Sequence, residues 1–244
     1  MGNKELVAAA TAIHSQRYPD AEVIFLAGSL VRGDGTSTSD LDLVVVFKQP
    51  PSAYRESFRF ERWPVEAFVH DAATLRYFFL EVNRPSGVPS LPTMVSEGVE
   101  VPLSSEFSRS LKALANQVIA DGPPSWQKPD NEASRYAITN LIDDLREARS
   151  RAEQTASTSA LYPALANHYL RARGVWSAKD KTIPRRLQQV DPSFAVRFIA
   201  AFEELFRDGR PAAVIALTEE VLAPDGGWLF DGYVLGAPTA WRAP

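Results

Sequence analysis

The sequence has no cysteine, two methionines and three histidines. The first absence excludes disulfides and every thiolate metal site. His14, His70 and His168 are widely scattered, so they suggest no histidine metal centre. No apolar run approaches the roughly 20 residues needed to cross a bilayer. The start, MGNKELVAAATAIHSQRYPD, makes a poor export signal, because its short alanine-rich stretch soon meets His14, Gln16 and Arg17. A soluble, cytoplasmic protein with no membrane partner is expected. Excess positive charge is missing as well. Lys and Arg number 26 against 30 Asp and Glu, for a net charge of −4. That argues against a chain whose main task is coating nucleic acid through its global field.

What is present is ordinary for a folded protein. Apolar residues make up 45% and charged residues 23% of 244 positions, enough for one large domain or two modest ones. The first half alternates helix and strand patterns. Leu6, Val7, Ala10 and Ile13 recur at helical spacing within 4–17. EVIFLA (22–27) and LDLVVVF (41–47) read as buried strands, joined by a loop rich in Gly, Ser, Thr and Asp. Residues 56–61 and 65–70 read as two further strands separated by Arg62-Trp63-Pro64.

After the proline-rich GPPSWQKPDN (122–131) the period becomes helical. Tyr136, Leu141, Ile142, Leu145, Ala148 and Ala152 form one stripe, and Phe194, Phe198, Phe202, Leu205 and Phe206 another. Asp191-Pro192 supplies a helix start, and Gly174 and Gly209 supply stops. The expected fold class is α+β: a small mixed sheet with flanking helices over 1–122, then a C-terminal bundle of four or five helices over 123–244.

The chemistry concentrates in AGSLVRGDGTSTSDLDLVVVF (27–47). Side chains alternate faces along a strand, so Asp40 and Asp42 point the same way, roughly 7 Å apart at Cα. Two carboxylates so placed can share a hard divalent cation. Gly28 lets backbone approach a phosphate without a Cβ in the way. Ser29 offers a hydroxyl, and the amides after it an anion-binding end if they open a short helix. Ser39 is placed either to donate to phosphate or to cap the loop, and Arg32 either to pair with phosphate or to sit in solvent. In PVEAFVH, Glu66 shares a strand face with Phe68 and His70, opposite Val65, Ala67 and Val69. A charge in a strand centre needs a reason. Glu66 is a third metal ligand, a base for an acceptor hydroxyl, or an edge-strand residue in water.

GSLVRGDGTSTSDLDLVVVF resembles the signature of the DNA polymerase β-type nucleotidyltransferase superfamily, a Gly-[Gly/Ser] pair, a gap (here Leu30 to Ser39) and Asp-h-[Asp/Glu]-h. The likeness covers roughly residues 22 to 70. A helical second domain makes the plan similar to that of aminoglycoside nucleotidyltransferases and related bacterial proteins. By that likeness Gly28 and Ser29 match the phosphate-gripping pair, Asp40 and Asp42 the metal ligands, and Glu66 the later acid. The resemblance implies Mg²⁺, a two-ion site by expectation, and a nucleoside triphosphate, ATP foremost, as co-substrate.

The helical half adds candidates from residue chemistry alone. Asp143, Asp144 and Glu147 lie within about one helical turn and would suit a cationic acceptor, although a solvated face balanced by Arg146 and Arg149 is the plainer reading. Lys179 and Lys181 stand in a basic run from Arg171 to Arg186, as candidates for the triphosphate or the leaving pyrophosphate. Trp176 fits a core position better than a stacking one.

The leading functional reading is transfer of a nucleoside monophosphate to a hydroxyl of a small molecule, with release of pyrophosphate. Two others stand beside it: an AMP-transferring enzyme of toxin–antitoxin type that modifies protein, and a silent nucleotide-binding regulator. A substantial helical domain favours the small-molecule acceptor over the protein. The set Asp40, Asp42 and Glu66 speaks against silence, because clustered carboxylates cost stability unless a metal repays them. Nucleic acid is not an expected partner, and a homodimer is compatible with the sequence.

Overall fold

The structure, a computed structural model, describes residues 3–238, 241 and 242. The chain divides into two compact units, Met1–Pro123 and Pro124–Pro244. The fold class is α+β, a mixed sheet with helices followed by a helical region.

In the first unit α1 (Asn3–Arg17) precedes β1 (Ala21–Ala27), a single turn α2 (Gly28–Val31), β2 (Leu41–Phe47), β3 (Tyr54–Phe60) and β4 (Trp63–His70). Then come α3 (Ala72–Tyr77), a π-helical stretch over Phe78–Asn83, α4 (Arg84–Ser86), α5 (Ser90–Glu97), β5 (Val99–Val101) and α6 (Glu106–Asp121). The five strands lie in the order β3-β4-β2-β1-β5. The central β2–β4 pair is parallel, and the β1–β2, β1–β5 and β3–β4 pairs are antiparallel.

Alternation decides which face is core. Leu41, Leu43 and Val45 of β2 and Val65, Ala67 and Val69 of β4 are buried in one cluster with Leu6, Ala9, Ala10 and Ile13 of α1. Period two on the strands thus meets period 3.6 on the helix. The residues between them, Asp42 and Glu66 among these, project from the opposite face.

Two strand expectations need correction. The break placed at Arg62-Trp63-Pro64 falls at Glu61-Arg62, since Phe60 pairs with Trp63 and Glu61 takes a left-handed φ of 52° that turns the chain. Pro64 is tolerated because it lies at the start of β4, before pairing to β2 begins at Leu41↔Val65. A fifth strand, β5, was not expected; its three residues at the sheet edge carry no readable period.

In the second unit α7 (Lys128–Arg146), α8 (Arg151–Arg171), α9 (Ile183–Val190), α10 (Pro192–Asp208) and α11 (Ala212–Leu222) surround a core of Ile138, Ile142, Leu165, Phe194, Phe198 and Phe202, with others. The aromatic spacing on α10 is a packing device. Phe194 stacks on Tyr169, and Tyr162 meets Phe198 and Phe202 edge-on. Asp191 caps α10 by accepting from the Phe194 amide at 2.9 Å, and Gly209 closes it at φ 72°.

The stripe expected from Tyr136 to Ala152 is not continuous. Helix α7 stops at Arg146, and Ser150 starts α8 by accepting from the Glu153 amide at 3.2 Å, so Ala152 belongs to the next helix. Phe206, expected on the α10 stripe, is exposed. No helix among the described residues is long and apolar enough to cross a membrane.

Candidate active site

Asp42 is the second residue of β2, and the parallel register sets it directly beside Glu66 of β4. Asp40 stands two residues earlier, where the loop enters β2. All three are half-buried, and each offers a carboxylate oxygen within 4.8 Å of the others. Neighbouring strands lie about 4.8 Å apart, so the sheet itself dictates the approach of Asp42 to Glu66. Mg²⁺–oxygen distances of about 2.1 Å place ligands across an ion about 4 Å apart. Three hard oxygen donors at this spacing fit such an ion with small side-chain rotations.

Gly28 follows β1 with φ +84°, a conformation that favours glycine. Its backbone abuts the site. A Cβ built on Gly28 would lie 1.9 Å from Asp42 Oδ2, because Ala27 is the register partner of Asp42. The glycine is therefore demanded by the carboxylate, a reason not foreseen from sequence. The amides after it do open a short helix, α2, of a single turn.

Ser29 and Ser39 are brought together, the hydroxyl of Ser29 donating to Ser39 Oγ at 3.3 Å. Ser39 Oγ also accepts from the Thr36 amide at 2.8 Å, and the Ser39 amide donates to Thr36 O at 3.1 Å. Ser39 thus ties the loop that delivers Asp40. Arg32 forms an ion pair with Glu97 at 3.3 Å, with both side chains well exposed. A pair so exposed is weakly held, and its guanidinium can exchange partners.

A residue that sequence reasoning missed is Arg55. Its guanidinium donates to Glu66 Oε1 and lies 4.9 Å from the Phe68 ring centroid. The register explains this: Arg55 is opposite Phe68, and Ser57 is opposite Glu66, so Arg55 shares the carboxylate face.

The remaining candidates belong to the helical unit. Asp143, Asp144 and Glu147 are exposed at the end of α7, with Asp143 paired to Arg146 at 2.9 Å. Lys179 and Lys181 are exposed on either side of Asp180. Trp176 is buried. His168 is fully buried, with Nδ1 3.0 Å from Ser134 Oγ and Nε2 3.1 Å from Asp225 Oδ2. Burial pushes its pKa below the ordinary histidine value, and the Asp225 hydrogen bond offsets part of that.

Residues 11–84 match the family model described as the nucleotidyltransferase domain. The matched segment holds Gly28, Ser29, Ser39, Asp40, Asp42 and Glu66, and it supports nucleotidyl transfer as the general chemistry. Solved structures similar to the chain include a nucleotidyltransferase-like protein from Exiguobacterium sibiricum 255-15. It is 18% identical, with 90% of this chain and 75% of that one covered and a TM-score of 0.47. No curated protein matches the chain.

Proposed function

We propose that the protein transfers a nucleoside monophosphate from a triphosphate, ATP foremost, to a hydroxyl group of a small molecule, and that Asp40, Asp42 and Glu66 hold Mg²⁺ for the reaction. The observation that carries this reading is the convergence of three carboxylates within 4.8 Å beside the Gly28-Ser29 turn, in a segment matching the nucleotidyltransferase domain. Bound Mg²⁺ supplies charge stabilisation for the phosphoryl oxygens. Gly28 keeps the approach to Asp42 open, and Ser29 and Ser39 present hydroxyls to the phosphates. Arg32 leaves Glu97 to join them. The acceptor oxygen bonds to the α-phosphorus as the bond to pyrophosphate breaks, and the hydroxyl proton passes to a carboxylate of this cluster.

In the helical unit we assign Lys179 and Lys181 to the triphosphate and Asp143, Asp144 and Glu147 to a cationic acceptor such as an aminoglycoside. The support is charge alone: two lysines in a basic run suit phosphate oxygens, and three acids within about one helical turn suit a cation. The direct test incubates purified protein with Mg²⁺, each of four nucleoside triphosphates and a panel of aminoglycosides and hydroxylated metabolites, and reads pyrophosphate release. Acceptor-dependent release from one nucleotide is the expected result. Labelling of protein with no small-molecule dependence would overturn the acceptor class, and no release with any acceptor would overturn the transfer reading.

A further inference from the structure

We propose that Arg55 is a resident counter-ion of the Asp40–Asp42–Glu66 site, pairing with Glu66 in the metal-free protein and passing to the triphosphate when metal and nucleotide load together. The inference rests on the metal-site reading above and assigns Arg55 a positioning role within it.

Three carboxylates with oxygens inside 4.8 Å repel one another in the metal-free state. The Arg55 guanidinium is hydrogen-bonded to one of them, Glu66. Glu66 is 20% exposed and Arg55 60%, so the carboxylate is anchored in the sheet while the arginine reaches it from solvent. That asymmetry makes the arginine the partner that moves. Its strand, β3, is at the sheet edge, and the Phe68 ring below the guanidinium gives it a surface to slide on without leaving the site face.

A divalent ion entering the cluster meets this positive charge. A unit charge and a divalent cation about 5 Å apart repel, even in water-like dielectric, enough to weaken binding roughly tenfold. Metal alone is therefore opposed, because Arg55 would lose its anion and gain a cationic neighbour. Metal bound to a triphosphate brings its own anion, and a guanidinium pairs well with phosphate oxygens. The same side chain hence disfavours bare metal and favours metal–nucleotide.

The test uses Arg55→Met, which keeps an apolar stem over Phe68 and removes the charge, with Arg55→Gln as a second variant. Mn²⁺ is titrated alone and with α,β-methylene ATP, the free ion being read by electron paramagnetic resonance. Relative to the parent protein, both variants should bind Mn²⁺ alone about tenfold tighter and the Mn²⁺-dependent nucleotide about tenfold weaker. Weaker binding in both titrations would overturn the proposal and leave Arg55 as an orienting partner of Glu66. No change in either would make it a solvated surface pair. Asp42→Asn separates this proposal from its foundation. If that change weakens Mn²⁺ binding while the Arg55 variants do nothing, the counter-ion role alone fails. If the parent protein and Asp42→Asn show no Mn²⁺ binding, the metal site and the counter-ion fall together.

Discussion

Gly28 and Asp42 occupy nearly the same space: a methyl group on the first would penetrate the carboxylate of the second, with 1.9 Å between Cβ and Oδ2. Gly28 also holds φ +84°, where an L side chain is strained. Gly28→Ala should therefore cost at least about 2 kcal/mol of stability, the sum of backbone strain and overpacking. It should also turn Asp42 out of the cluster. Denaturant unfolding and Mn²⁺ titration of the same variant check both effects. A variant as stable and as tight-binding as the parent protein would show that Asp42 can relocate freely.

Asp42→Asn keeps the shape of the side chain and removes one charge from the group of three. Metal-free stability should hold or rise, because repulsion falls. Turnover should drop at least about a hundredfold, by analogy with loss of one preorganised electrostatic stabiliser. Thermal unfolding in chelator and pyrophosphate release measure the two separately. Full turnover in this variant would remove Asp42 from the chemistry.

Asp144→Asn combined with Glu147→Gln withdraws two charges from the end of α7 and spares the Asp143–Arg146 pair. All of these positions are exposed, so stability should shift by no more than about 0.5 kcal/mol. For a cationic acceptor KM should rise about fivefold, with kcat and the nucleotide KM unchanged. Steady-state kinetics with a neutral acceptor as control gives the answer, and an unchanged KM would move the acceptor site elsewhere.

His168 is buried with a lowered pKa, chiefly through desolvation. The unfolded chain takes up this proton near pH 6.5, whereas the folded chain resists it to lower pH. Stability is thus fully present above about pH 6.5 and is lost as pH falls toward the folded pKa. Replacing the ring by His168→Gln should lower Tm at pH 7.5 and flatten the decline between pH 6.5 and 5. Thermal melts across that range test it, and an equally steep decline in the variant would assign the acid sensitivity to other groups.

Much of the carboxylate site was legible because it is written in period two. The alternation of Leu41, Asp42 and Leu43, and of Val65, Glu66 and Ala67, fixes which side chains share a face before any register is known. The Arg55–Glu66 pair was not legible, since it depends on where β3 turns into β4, and the left-handed Glu61 that sets the turn is not a usual turn residue. Nor was β5, whose three residues pair with β1 through partners remote in sequence. In the helical unit the period of Phe194, Phe198 and Phe202 read correctly as core, but two successive helices with similar periods were merged across 147–150. Capping by Ser150, a local hydrogen bond, ends what hydropathy would continue.

Asp42 and Glu66 are locked by a ladder of backbone bonds between adjacent strands, whereas Asp40 hangs at the mouth of a loop secured by a few hydroxyl contacts through Ser39. Loops open at lower free energy than central strands. On warming, the loop therefore lets go first and leaves a two-toothed grip where there had been three. Metal affinity should fade over a span of temperature in which the circular dichroism of the sheet has not yet changed.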